Sequence, residues 1–359
     1  MSLQHTMNGR EKMKRFSLKA ILLCVFTVQI FAFSARAAEP IRIGYIPVIG
    51  SSALFVIDGK GWAHDAGLTL QPVRFTSGPQ ALQALVSGRI DAYVAGVLPL
   101  LQARAHGVDV KVITAASVEE LEVISRGSLA ALLTQNEEKT PASADVKTLF
   151  ETFKKQQSRN VRIAAQPPGS VPDTVLRYWL LQQVKISPPL TNSVSVVGVD
   201  IDAAQQAFLA GAVDAAILRE PALTVIRNRL PESKILATGH DLMPDQPGSV
   251  LAVVAPEDPA HRDWALKLGQ LFVRATTFLS EHPEEAAPFV TKVLGGGLLS
   301  ESIMTQALTH ASSHFISDPQ RIVKGVAELQ NFEAEQGLLR KTEPVDALFD
   351  LDMWRQIQK

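Results

Sequence analysis

The sequence predicts an α/β protein of two similar lobes with a helical C-terminal part, and three features of its 359 residues point there. Short apolar strands alternate with helical patterns through the first two-thirds of the chain, which predicts mostly parallel sheets faced by helices. A helix–Gly–strand unit occurs twice: residues 81–92 align without gaps to 204–215, and six of the twelve positions are identical. A fainter echo relates Ile41-Arg42-Ile43 to Val161-Arg162-Ile163. The two offsets, 123 and 120 residues, are close enough for one register to serve both, so the repeat reads as a duplicated lobe. Finally, the strand pattern gives way after about residue 255 to long helices, a change of character that needs a surface to pack on.

Taken in order, residues 41–46, 68–75, 90–95 and 110–113 read as strands, because apolar and β-branched residues run between turn signals. Residues 51–62 and 80–87 read as helices, the first ending near Gly59 and Gly61 and the second stopped by Gly88. The tail carries helical periodicity over 259–280, 283–294, 301–310 and 319–336, interrupted by Gly295-Gly296-Gly297. The division this predicts is 1–37 as a leader, 38–125 as lobe 1, 126–245 as lobe 2 and 246–359 returning to lobe 1. The chain is expected to cross between lobes near 125–129 and again near 238–248. Two crossings make a hinge of the kind that lets domains close on a ligand.

The N-terminus predicts export. Residues 13–19 are basic, 20–33 are almost wholly apolar, and Ala35-Arg36-Ala37 has the small-x-small pattern of a cleavage site. The apolar run is shorter than the roughly 20 residues of a membrane span. The single cysteine, Cys24, lies inside it. Cleavage would leave no thiol, which excludes disulfides, thiolate metal sites and cysteine nucleophiles. Residues 1–37 hold six Lys/Arg and one acid, so their loss takes the net charge from −1 to −6. An acidic surface argues against nucleic-acid binding.

In open α/β sheets, ligands bind beyond the carboxyl ends of strands, where loops enter helices. Four such loops are legible: 47–52 with Ile49, Gly50, Ser51 and Ser52; 76–80 with Gly78, Pro79 and Gln80; 96–99 with Gly96 and Val97; and 167–172 with Gly169, Ser170 and Val171. Glu220-Pro221 follows the second copy of the repeated strand and is expected to face the cleft from lobe 2. Free N–H groups and the helix dipole at such sites favour an anion or a carbonyl oxygen. Each loop also has a plainer reading, since Ser and Gly are common caps and turns. Their recurrence at equivalent strand ends is what singles them out.

Ile43-Gly44-Tyr45 with Pro47, Gly59-Lys60-Gly61-Trp62, Ala66-Gly67-Leu68, Ser77-Gly78-Pro79-Gln80, Ser87-Gly88-Arg89-Ile90-Asp91 and Gly211-Ala212-Val213-Asp214-Ala215 with Glu220-Pro221 stand in the order of one family. The chain resembles the nitrate/sulfonate/taurine solute-binding proteins of ABC importers over residues 40 to about 285. The resemblance implies the type II periplasmic-binding-protein fold and cleft binding without catalysis. It also implies a periplasmic location, a small-molecule ligand, and a partner permease with its ATPase at the inner membrane. Ser51, Gly78, Pro79, Gly96, Val97, Gly169, Ser170 and Glu220 would line the pocket. The chain departs from the family at 145–149 and in the apolar Val97-Leu98, which bears on ligand identity and not on fold.

Enzyme chemistry finds little support. His310 and His314 share a helix face, but Ala311 stands where a zinc protease carries glutamate. No G-x-S-x-G elbow, dinucleotide fingerprint or phosphate loop occurs. The nearest enzymes of the same fold, the thiamine-pyrimidine synthases, use a cysteine-rich motif that the processed chain lacks. The expectation is therefore a monomer without cofactor or metal. Its ligand is a small organic anion or, alternatively, a neutral heterocycle such as a thiamine-pyrimidine precursor.

Overall fold

The computed structural model describes residues 39–133, 140–339 and 341–359. The leader read at 1–37, with Cys24, lies outside them. Ten strands form two five-stranded sheets. They are β1 (Ile41–Tyr45), β2 (Leu70–Arg74), β3 (Ala92–Gly96), β4 (Val110–Ala115), β5 (Glu122–Ser125), β6 (Val161–Ala165), β7 (Val194–Gly198), β8 (Ala215–Leu218), β9 (Lys234–Ala237) and β10 (Ser249–Val254). The described helices of seven residues or more are α1 (Ser52–Gly59), α2 (Gly78–Val86), α3 (Leu98–Ala105), α4 (Ser143–Gln157), α5 (Val171–Tyr178) and α6 (Ile201–Leu209). They continue with α7 (Ala222–Arg229), α8 (Pro259–Glu281), α9 (Pro283–Leu294), α10 (Glu301–Ala311), α11 (Gln320–Glu335) and α12 (Leu351–Ile357).

The sheets share one plan. Lobe 1 orders its strands β2-β1-β3-β10-β4 and lobe 2 orders them β7-β6-β8-β5-β9. In each, the fourth position is held by a strand that has crossed from the other lobe and runs antiparallel to both neighbours. β3 and β8 are buried at every residue, as sheet-centre strands covered on both faces must be.

The repeated aspartate has a visible purpose. Asp91 Oδ2 accepts the backbone N–H of Arg42 at 2.9 Å, and Asp214 Oδ2 accepts that of Arg162 at 2.9 Å. The clasp closes in the main chain too, with Asp91 N–H donating to Arg42 O (2.8 Å) and Asp214 N–H to Arg162 O (2.9 Å). Each aspartate thus pins the loop before β3 or β8 to the start of β1 or β6. In both, burial pushes the carboxyl pKa up. The hydrogen bonds from arginine and from backbone N–H outweigh it and leave the pKa below normal.

The crossings run side by side. Ala116 and Ser117 N–H donate to Ser249 O, and Glu119 N–H donates to Gln246 O. The first crossing spans 116–121, ahead of the 125–129 expected, because Glu122–Ser125 is a strand of lobe 2. A four-residue strand is too short for its period to separate it from a loop. The boundary at residue 125 is corrected accordingly.

The tail also differs from expectation, which put it wholly on lobe 1. α8 buries Ala265, Leu268, Phe272, Ala275 and Leu279, a 3–4 spacing that forms one stripe, and with α9 it covers α1. Each large side chain in that stripe contributes about 1.5–3 kcal/mol. α10 and α11, however, reach lobe 2. Thr224 Oγ1 of α7 lies 3.1 Å from His310 Nδ1, and Thr174 Oγ1 of α5 donates to Glu333 Oε1 at 2.8 Å. Phe332 meets the Tyr178 ring edge-on at 5.6 Å. α10 buries one apolar stripe, Met304, Ala307, Leu308 and Ala311, and reaches lobe 2 through polar side chains, while α11 packs Phe332 and Glu333 against α5.

Candidate functional site

The carboxyl ends of β1, β3, β6 and β8 converge on the cleft between the lobes. Three helices point their N-termini into it: α2 and α3 from lobe 1 and α5 from lobe 2. Each has a proline in its first turn, Pro79, Pro99 and Pro172, which presets the helical φ. None is capped by the side chain at its N-cap, Ser77, Val97 or Ser170. Ser170 Oγ turns back instead to donate to Pro167 O at 2.7 Å. The positive ends of three helix dipoles therefore face one space.

Glycines let the lobes meet. A Cβ on Gly96 would lie 2.7 Å from Val171 Cγ2, and one on Gly78 would lie 2.7 Å from Pro99 Cγ and 3.8 Å from Ser170 Cα. Further contacts across the cleft are Ile49 N–H to Glu220 O (3.2 Å), Thr76 Oγ1 to Asp200 Oδ2 (3.1 Å) and Arg74 to Asp202 (2.9 Å). The lobes are closed on each other, and the enclosed space is about 10 Å³.

Of the residues expected at the site, Gly78, Gly96, Ser170 and Val171 line this space. The others are placed differently. Ser51 Oγ donates to Ile46 O (2.9 Å) and Val48 O (2.7 Å), holding the turn before α1. Ser52 is fully buried, and its hydroxyl has no partner. Gly50 packs where a Cβ would sit 2.6 Å from Glu120 Oε2. Gln80 is exposed and accepts the Thr76 N–H. Gly169, at φ +85°, faces the Gln102 side chain. Pro79 and Val97 set the first turns of α2 and α3.

Glu220 is the main correction. Its carboxylate accepts the Thr224 N–H (2.9 Å) and an Arg227 guanidinium N–H (2.8 Å), and it borders a separate pocket with Glu122, His310 and His314. Burial raises the Glu122 pKa there, with Arg227 opposing. The residue before it, Arg219, lines the cleft instead. Adjacent residues at a strand end point to opposite sides, so Arg219 and Glu220 border different pockets. The signal was present: Arg219 sits at the repeat equivalent of Gly96.

Arg219 pairs with Glu120 on the first crossing, with only 6 % and 3 % of the two side chains exposed. Glu120 also accepts from Ser117 Oγ and, at 3.2 Å, from Ser249 Oγ, so the first crossing and the start of β10 hold it. On the cleft side lies Tyr93, whose hydroxyl donates to Gly96 O at 2.9 Å. Burial drives the Tyr93 pKa far up against the opposing charge of Arg219, so the phenol remains a donor. Among the described residues, no three His, Cys, Asp or Glu side chains are arranged to hold a metal ion. Nor is any described helix long and apolar enough to cross a membrane.

The NMT1-like family model matches residues 34–295. A Bacillus subtilis protein, provisionally named an aliphatic sulfonates-binding protein, is 28% identical over 83% of this chain and 82% of its own. The periplasmic aliphatic sulphonate binding protein SsuA of Escherichia coli superposes with a TM-score of 0.67. It is 20% identical and covers 87% of this chain and 92% of its own. The periplasmic nitrate-binding protein NrtA of Synechocystis gives 0.71, at 15% identity over 90% and 89%. The shared fold is that of the periplasmic binding proteins, and all three are named as binding proteins.

Proposed function

The chain belongs to the NMT1-like family, and we propose that it is the periplasmic solute-binding component of an ABC importer, closing its lobes on a small organic anion. The observation that carries the anion is the convergence of three helix N-termini without side-chain caps, beside Arg219. Each helix end contributes roughly half a positive charge, and up to about 2 kcal/mol in a partly buried setting. A sulfonate-like head group fits this chemistry, because its oxygens accept several N–H donors at once. The names of the B. subtilis relative and of SsuA support that class.

Gly78, Gly96, Ser170, Val171 and Arg219 are the contacts assigned to the ligand. The hinge at 116–121 and 238–248 opens and closes the cleft. The leader read at 1–37 delivers the chain to the periplasm, and the closed form, as a monomer, hands its cargo to a permease and its ATPase. Binding, rather than turnover, is its work.

A thermal-shift screen of the processed chain tests the reading. Propanesulfonate, taurine or nitrate at a hundredfold excess over Kd stabilises by about 2.7 kcal/mol, a shift of a few degrees. A shift with a thiamine-pyrimidine precursor and none with these anions would sink the anion in favour of a neutral heterocycle.

A further inference from the structure

We propose that the Arg219–Glu120 pair sets the charge of the cargo, admitting an anion with one negative charge and turning away dianions. The inference rests on the reading that the cleft takes an anion, and it adds a criterion that the helix N-termini lack. Three dipoles favour any anion, and a dianion such as sulfate more than a monoanion. The pair changes that balance. Glu120 accepts one Arg219 N–H together with the hydroxyls of Ser117 and Ser249, so it is fixed in place before ligand arrives. Arg219 also lines the cleft, and its guanidinium fork carries further N–H donors besides the one given to Glu120. An incoming head group thus finds directional donors on a site whose net side-chain charge is zero.

A single negative charge is balanced by the helix ends and oriented by the fork. A second negative charge meets, beyond the guanidinium, a carboxylate that is 3 % exposed and held by Arg219, Ser117 and Ser249. Like charges juxtaposed in a desolvated site are strongly unfavourable, and such repulsion is a common source of selectivity. Glu120 is therefore a positioning residue for Arg219 and a repulsive element against dianions. The matching strand end of lobe 1 is Gly96, which carries no side chain.

Calorimetric titration with propanesulfonate and sulfate decides the matter. The intact protein is expected to favour propanesulfonate by about tenfold or more, and Glu120→Gln to shrink that ratio by about tenfold, through tighter sulfate binding. Methylphosphonate gives a second measurement on the unaltered chain, in case the variant does not fold. Its affinity, divided by that of propanesulfonate at the same pH, should fall as the phosphonate takes on its second charge. An unchanged ratio in Glu120→Gln, or equal phosphonate binding on both sides of that ionisation, overturns the charge selection and leaves the anion reading standing. If the intact protein binds neither propanesulfonate nor sulfate, the anion reading falls and this inference falls with it.

Discussion

Lobe 1 and lobe 2 use the same aspartate clasp, Asp91 on Arg42 and Asp214 on Arg162, yet they end their matching central strands in opposite ways. β3 ends in Gly96, which has no side chain and lets Val171 of the other lobe close against it. The extended end of β8 carries Arg219, which supplies the one buried guanidinium among the cleft-lining residues. The clasp holds each lobe together and is alike in both. The strand ends border the cleft, and there the copies have diverged. The feature the lobes share holds each fold together, and the feature in which they differ borders the cleft.

The largest expected effect tests that divergence directly. Arg219→Leu strands a buried Glu120 and should cost about 3–5 kcal/mol in urea unfolding. Gly96→Val should leave unfolding nearly unchanged while propping the cleft open, seen as a larger radius of gyration in solution scattering and the loss of ligand-induced compaction. Equal stability losses at the two positions would break the distinction between them.

The clasps should differ in degree. Asp214 is 12 % exposed and takes two N–H bonds from Arg159 as well as the Arg162 N–H. Asp91 is 21 % exposed and relies on Arg42, itself 41 % exposed. Asp214→Ala should cost about 2–3 kcal/mol and Asp91→Ala about 1–2 kcal/mol, the smaller figure allowing for solvent screening. Both folded-state pKa values are depressed. Their stability is therefore present above the unfolded-state pKa and is lost as pH falls through the folded one. Acid-unfolding curves of the two variants should flatten in that window.

Glu333 sharpens the comparison from outside both lobes. Burial raises its pKa from 4.5 to about 7, against hydrogen bonds from Thr174 and Gln102, with the Asp173 charge adding to the rise. A carboxyl raised on folding contributes full stability below pH 4.5 and loses it progressively as pH rises to about 7. Glu333→Gln should remove that slope and raise stability at pH 8 by on the order of 2 kcal/mol, measured by urea melts at fixed pH. A steeper slope in the variant would contradict the assignment.

The smallest effect belongs to the cleft rim. Arg74 and Asp202 are 49 % and 71 % exposed, so Arg74→Ala should change stability by no more than about 0.5 kcal/mol and fade in salt.

The order of elements, the duplication and the clasp aspartates were legible because they are written in short-range periodicity. A Gly after a helix or an alternation of apolar residues needs no partner to be seen. Gly78, Gly96, Ser170 and Val171, which line the cleft, are legible in the same way, as residues at strand–helix junctions. Arg219 was missed in favour of Glu220 because neighbours in an extended chain face opposite sides, and the phase of β8 is set by its pairing with β5 and β6.

By itself, then, the sequence determined two α/β lobes, a hinge of two crossings and a cleft at the carboxyl ends of repeated strands. Only the tertiary structure decided which side chain enters that cleft, where the first crossing lies and how the tail spans both lobes. The reason is separation along the chain. Glu120 meets Arg219 across 99 residues and Thr174 meets Glu333 across 159, and no local pattern encodes a contact between segments that folding alone brings together.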